Sequence, residues 1–138
     1  MASFINHCLP TFLIFFIMFP SSFHSYPILI NLTNDTKENL RFSCKSSTHK
    51  DLAAQTLLPD DFITWNGDIN VPGENEIWLC LLNTTPGNLK GLFALFDAKR
   101  DQPRCGPNEC FWSARHDGIY LYLKQGMTLQ FRWQNWQN

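Results

Sequence analysis

From Pro27 onward the chain alternates apolar and polar residues in short runs, separated by clusters of Gly, Pro, Asn and Asp. A period of two sends successive side chains to opposite sides of a strand, so each run predicts a strand with one face toward a core. Residues 27–33 form the first run and 34–39 the polar turn that ends it. Residues 40–44 place Leu40, Phe42 and Cys44 on one inward side. Residues 57–58 and 62–65 read as strand pieces parted by Pro59-Asp60-Asp61, which a central strand would not accept. Residues 76–82, the most apolar run beyond residue 25, predict a buried strand, and 91–96 predict another. Residues 66–68, 72–75 and 83–88 read as turns. Residues 45–55 are polar and poor in strand formers, which predicts an exposed loop with at most one helical turn at 51–54.

The most informative stretch is 105–123. Cys105 and Cys110 bracket Gly-Pro-Asn-Glu, a strand carrying Phe111 and Trp112 follows, and Asp117-Gly118 separates it from an alternating strand. Asp-Gly between two strand-like runs predicts a tight hairpin, since a two-residue primed turn needs positive φ at its centre. Beyond Gly126, Met127, Leu129, Phe131 and Trp133 fall on one side of a last strand. About eight short strands, with no sustained 3.6-residue periodicity, predict an all-β fold, a small antiparallel β-sandwich. With no internal repeat, low-complexity tract or linker, residues 26–138 are expected to form a single domain.

Residues 1–25 lack Lys, Arg, Asp and Glu, and the eleven residues from Leu9 to Phe19 are almost unbroken hydrocarbon. Such a core is too short to span a bilayer and suits a cleaved secretory signal peptide. The rest of the chain carries all 11 Lys and Arg and all 12 Asp and Glu, a net charge of −1. That balance offers no electrostatic case for nucleic acid or an anionic membrane as partner. Removing the leader also removes Cys8 and leaves Cys44, Cys80, Cys105 and Cys110. An even count in a small exported domain argues for two disulfides. Of the three pairings possible, the short turn between Cys105 and Cys110 favours their bridging each other, which leaves Cys44 for Cys80.

Catalysis needs a nucleophile with a base, a tuned carboxylate pair, or a metal. The part beyond the leader has two histidines, His49 in a loop and His116 before the hairpin turn, each beside charged residues and each expected to be an ordinary exposed side chain. Asp60 and Asp61, and likewise Glu74 and Glu76, stand in or near turns where solvation accounts for them. With no phosphate loop, no nucleophile elbow and no zinc spacing, neither enzymatic activity nor a cofactor or metal is expected. Asn31, Asn34 and Asn83 each open an Asn-x-Thr acceptor pattern for N-glycosylation. Trp78, Trp112 and Trp133 fall in strand patterns and are assigned to packing, while Trp136 is the best candidate for an exposed aromatic.

Several features together resemble the plant self-incompatibility protein family, the poppy-type secreted stigma proteins and their homologues. These are Ile30-Asn31 with Leu40, Ser43-Cys44-Lys45-Ser46, Asp51-Leu52, the strand containing Cys80, and above all Cys105-x4-Cys110-Phe-Trp with Asp117-Gly118-Ile119-Tyr120-Leu121. The chain departs from that pattern in the loop after Cys44 and between residues 81 and 104. The resemblance implies a secreted β-sandwich with two disulfides and no known catalytic activity, acting as a protein ligand for a membrane receptor on a neighbouring cell. The expected function is therefore that of a monomeric recognition ligand presenting residues 45–55, 66–75, 83–90 and 97–104. The alternative is an extracellular defence protein, either a hydrolase inhibitor using the Cys105–Cys110 turn or a glycan-binding module.

Overall fold

The alternation is realised as strands in two sheets. The structure, a computed structural model, describes residues 26–69, 75–105 and 108–134. In chain order the elements are β1 (Tyr26–Asn34), β2 (Asn39–Ser46), β3 (Asp51–Leu57), β4 (Phe62–Ile69), β5 (Ile77–Thr85), β6 (Lys90–Asp97), the single-turn helix α1 (Ala98–Asp101), β7 (Glu109–Arg115), β8 (Gly118–Leu123) and β9 (Gly126–Phe131). One sheet has the order β4-β1-β7-β8-β9, the other β3-β2-β5-β6. All strand pairs are antiparallel except β1 with β7, which run parallel. The first strand is thereby held inside the five-stranded sheet.

The core lies between the sheets. Ile28, Ile30 and Leu32 of β1, Trp112 of β7, and Ile119 and Leu121 of β8 face Leu40 and Phe42 of β2, Trp78 and Leu82 of β5, and Phe93 and Leu95 of β6. Phe93 stacks on Phe131 at 5.4 Å between centroids, and Trp65 meets Trp78 edge-on at 6.2 Å, so aromatic pairs join the layers. Cys44 and Cys80 are direct cross-strand partners on β2 and β5 and form one disulfide; Cys105 and Cys110 form the other. Both bridges follow the pairing that the Cys105–Cys110 spacing favours.

Several expectations are corrected. Residues 51–57 form a strand instead of an exposed loop or helical turn: β3 is a sheet edge, paired on one side to β2, so most of its side chains meet solvent and no alternation is imprinted on them. Asn66-Gly67-Asp68 lies within β4 and makes no turn. Its glycine serves close approach, since a β-carbon there would lie 2.7 Å from the Phe96 ring and 2.9 Å from Ile30 Cδ1. The strand expected to be buried is half-buried, with Leu79 and Leu81 of β5 facing outward. In the last strand the face expectation also fails. Ile119 pairs with Phe131 but Tyr120 with Leu129, so a bulge at Gln130 leaves Met127 and Leu129 on the outer side while Phe131 reaches the core.

The hairpin expected at Asp117-Gly118 exists, but its two-residue loop is His116-Asp117, closed by the Arg115–Gly118 pair. Gly118 is needed one place later. Its φ is +155°, and a β-carbon there would sit 2.3 Å from the carbonyl oxygen of Phe131 on β9. The expectations for residues 1–25, for the turn at 72–74 and for Trp136 lie outside the described residues.

Gly67→Ala should cost about 1–3 kcal/mol, because Phe96 and Ile30 must both give way inside a closed core. Urea denaturation of the variant beside wild type checks this; unchanged stability would remove the close-approach account of β4.

Candidate recognition surface

The pairing register fixes strand directions and sorts the connections onto two ends of the sandwich. One end gathers the β2–β3 connection, the end of β4 and the start of β5, α1 with the Cys105–Cys110 bridge, and the β8–β9 turn. The opposite end holds the β1–β2, β3–β4, β5–β6 and β7–β8 turns. Of the segments expected to read a partner, 45–55, the described residues of 66–75, and 97–104 thus contribute to the first end, and 83–90 lies at the other. Residues 70–74, with Gly106 and Pro107, lie outside the described residues.

Two fully buried carboxylates hold that first end. Glu76 Oε1 accepts from the Asp68 backbone N–H at 3.1 Å and from the Trp78 indole at 2.5 Å; Oε2 accepts from Thr48 Oγ1 at 2.8 Å and Lys50 Nζ at 3.1 Å. One side chain therefore joins the β2–β3 loop, β4 and β5, with all its acceptor capacity directed at donors. Lys50 also reaches Asp68 at 2.5 Å. The hydrogen bond to Asp68, with the nearby Glu76 charge, outweighs desolvation and holds the Lys50 ammonium above its ordinary range.

Asp101 is the second anchor. Its Oδ1 accepts from Arg100 Nε at 2.8 Å and Arg104 at 3.0 Å, and its Oδ2 from the Asp97 backbone N–H at 2.9 Å and Arg100 at 2.8 Å. Asp97 caps α1 through Lys99 and Arg100 N–H. Arg100 continues to the Ala94 carbonyl and lies 5.8 Å from both the Trp112 and Phe131 ring centres, while Arg104 reaches Gln130 on β9. The segment expected to be a charged presenting loop is thus largely a structural clasp. The reading of Glu76 as a solvated turn residue is corrected on the same ground.

Against this clasp lies a groove of about 460 Å³, bounded by Arg104, Cys105, Glu109, Phe111, Tyr122 and Lys124 among others. Phe111 and Tyr122 remain 40% and 56% exposed, on the outer face of the five-stranded sheet. Their rings offer apolar area with charges of both signs at the rim, the composition of an interface anchor site. Sequence reasoning placed Phe111 in a strand without marking it as exposed; its alternation with inward Cys110 and Trp112 was the available signal.

The acceptor asparagines fall in three different settings. Asn34 is fully buried, giving its Nδ2 hydrogens to the Glu38 and Leu57 carbonyls at 2.7 and 3.0 Å while Oδ1 accepts from Thr36. Asn31 is half-buried on the outer face of β1, beside Phe111. Asn83, expected in a turn, is within β5 on the outer face of the other sheet. Neither Asn34 nor Asn83 is therefore a turn residue. His49 and His116 are exposed, Trp65, Trp78 and Trp112 are buried, and Trp133 is half-buried with its indole on the Arg115 carbonyl at 2.8 Å. Among the described residues no group of side chains is arranged to hold a metal ion, and no helix is long and apolar enough to cross a membrane.

Residues 28–133 match the family model described as plant self-incompatibility protein S1. No curated protein sequence matches the chain. Among solved structures, it is similar to self-incompatibility protein homologue (SPH) proteins, described as a widespread family of small, highly stable, secreted proteins from plants: 18% identity, 80% of this chain and 97% of that chain covered, TM-score 0.60. An NMR structure of a protein from Eubacterium rectale gives 15% identity, coverage of 72% and 90%, and a TM-score of 0.46. At these identities the first likeness speaks to the fold.

Asp101→Asn should cost about 2–4 kcal/mol, since two partly buried guanidinium groups lose their counter-charge, and urea denaturation measures it. A pH series tests the other anchor. Because the folded Lys50 pKa is raised, its contribution is complete below the unfolded value of 10.5 and is lost as pH rises through the higher folded value. Wild type should therefore lose thermal stability more steeply than Lys50→Met above that pH; parallel curves would show that the ion pairs contribute nothing.

Proposed function

The chain belongs to the plant self-incompatibility protein S1 family, and on that premise we propose that it is a secreted, non-catalytic recognition ligand for a membrane receptor on a neighbouring cell. The two disulfides support an oxidising, extracellular destination. The single observation that carries the reading is the groove beside the Cys105–Cys110 bridge, where exposed Phe111 and Tyr122 stand on a rigid sheet at the end that gathers the long connections. A surface already ordered before contact loses little conformational entropy on binding, so its aromatic anchors contribute most of their buried area to affinity. Rim charges Arg104, Glu109 and Lys124 would set orientation and association rate more than strength.

Tagged protein, harvested from a secreting plant culture, should bind saturably to plasma membranes of the tissue that responds to it. Phe111→Ala and Tyr122→Ala should each weaken that binding about tenfold, the effect of a modest anchor residue, with melting temperature unchanged. Absence of saturable binding, or wild-type affinity in the double variant, would overturn the proposal.

A further inference from the structure

Three leucines, Leu79, Leu81 and Leu92, are 46%, 50% and 47% exposed on the outer face of the four-stranded sheet. Leu81 pairs with Leu92 across β5 and β6, and Leu79 follows two residues away on the same side, so the three form one patch. The adjoining row on that face is Arg41, Asn83 and Lys90, aligned across β2, β5 and β6. Neither cation forms an ion pair among the described residues. A groove of about 420 Å³ lies here, with Arg41, Ser43, Leu81, Asn83 and Lys90 in its walls. Within it Asn83 Oδ1 is buried with no hydrogen-bond partner.

Asn83 opens Asn-Thr-Thr, and Thr85, the residue that completes the acceptor pattern, is exposed. We infer that Asn83 carries an N-linked oligosaccharide whose first sugars occupy this groove and cover the leucine patch. An N-acetylglucosamine has the complementary chemistry. Its ring C–H face suits leucine, its acetamide carbonyl and hydroxyls accept from Arg41 and Lys90, and its N–H or hydroxyl groups offer the donor that Asn83 Oδ1 lacks. In the transfer, Asn83 Nδ2 attacks C1 of a lipid-pyrophosphate-linked oligosaccharide. The Nδ2–C1 bond forms, the C1–O bond to pyrophosphate breaks, the lipid pyrophosphate leaves with the bonding pair, and one amide proton passes to a base of the transferase. Asn34 is excluded by the same reasoning, because it is fully buried and both its Nδ2 hydrogens are committed to the Glu38 and Leu57 carbonyls. The inference rests on the chain being secreted, and it is independent of any receptor.

The test is to express the full chain in a plant secretory host, collect the medium, and release N-glycans enzymatically in ¹⁸O-water, which marks each formerly occupied asparagine as labelled aspartate. Label at Asn83 and none at Asn34 is expected. Thr85→Ala should lose the Asn83 glycan and bind several-fold more of an apolar-surface dye, Thr85→Ser should keep both properties of wild type, and adding Leu81→Ser and Leu92→Ser to Thr85→Ala should abolish the extra dye binding. Secreted protein unlabelled at Asn83, label at Asn34, or dye binding unchanged by loss of the glycan would overturn it. Absence of the chain from the medium would instead overturn the secretion on which it rests, and the inference with it.

Discussion

A polar group taken out of water costs free energy unless it finds partners inside the protein, and at three positions of this sandwich those partners tie the strand ends together. Asn34, Glu76 and Asp101 are each fully buried, and each is satisfied by donors or acceptors from several elements. Asn34 fastens β1 to the β1–β2 turn and to β3 at one end. Glu76 and Asp101 do the same at the other, gathering the β2–β3 loop, β4, β5, β6 and α1, with β9 reached through Arg104. The apolar core between the sheets favours any compact stacking of two layers, whereas these groups accept only the arrangement that pairs them. Layer packing supplies the bulk of the stability, and the buried polar groups narrow it to one register.

The same logic explains how the four-stranded sheet avoids pairing with other chains. The edge of β6 is closed by the Gln134 carboxamide, which donates to and accepts from the Leu92 backbone, and by Arg100 on the Ala94 carbonyl. Edge strand β3 carries a register shift opposite Phe42 and Cys44, which breaks the flat template that another strand would need. With the edges of the four-stranded sheet guarded, that layer offers partners its ends and outer face. The two outer faces differ in kind, since one carries Phe111 and Tyr122 beside charges of both signs and the other a leucine patch beside Arg41 and Lys90.

Much of this was legible in the sequence, for a physical reason: a half-buried strand writes its burial into a period of two. Leu40, Phe42 and Cys44 declared their face in advance, and the Cys105–Cys110 spacing pointed to its own bridge. Edge strand β3 stayed silent because it buries almost nothing. The bulge at Gln130 was hidden because one extra residue shifts every side chain beyond it to the opposite face, with no mark in composition. The anchors were hidden for a third reason. Glu76 and Asp101 look like any acidic residue near a turn, and only the fold brings Trp78, Lys50, Arg100 and Arg104 to them. Exposure of Phe111 followed from alternation with Cys110 and Trp112, yet its neighbour Tyr122 lies eleven residues on, and only the hairpin register makes them one surface.

Of these, the hidden anchors Glu76 and Asp101 lie at the end proposed to read a partner. Connections there follow no hydrophobic period, so their residues are free to differ between family members without disturbing the core. What prevents such freedom from dissolving the surface is that two of these connections are tied to fixed points: the β2–β3 loop to Glu76, and the β6–β7 segment to Asp101 and the Cys105–Cys110 bridge. A ligand built this way can change the side chains between its anchors while holding the backbone that displays them. Specificity would then evolve in the intervening residues and stability in the anchors, two sets of positions that need not compete.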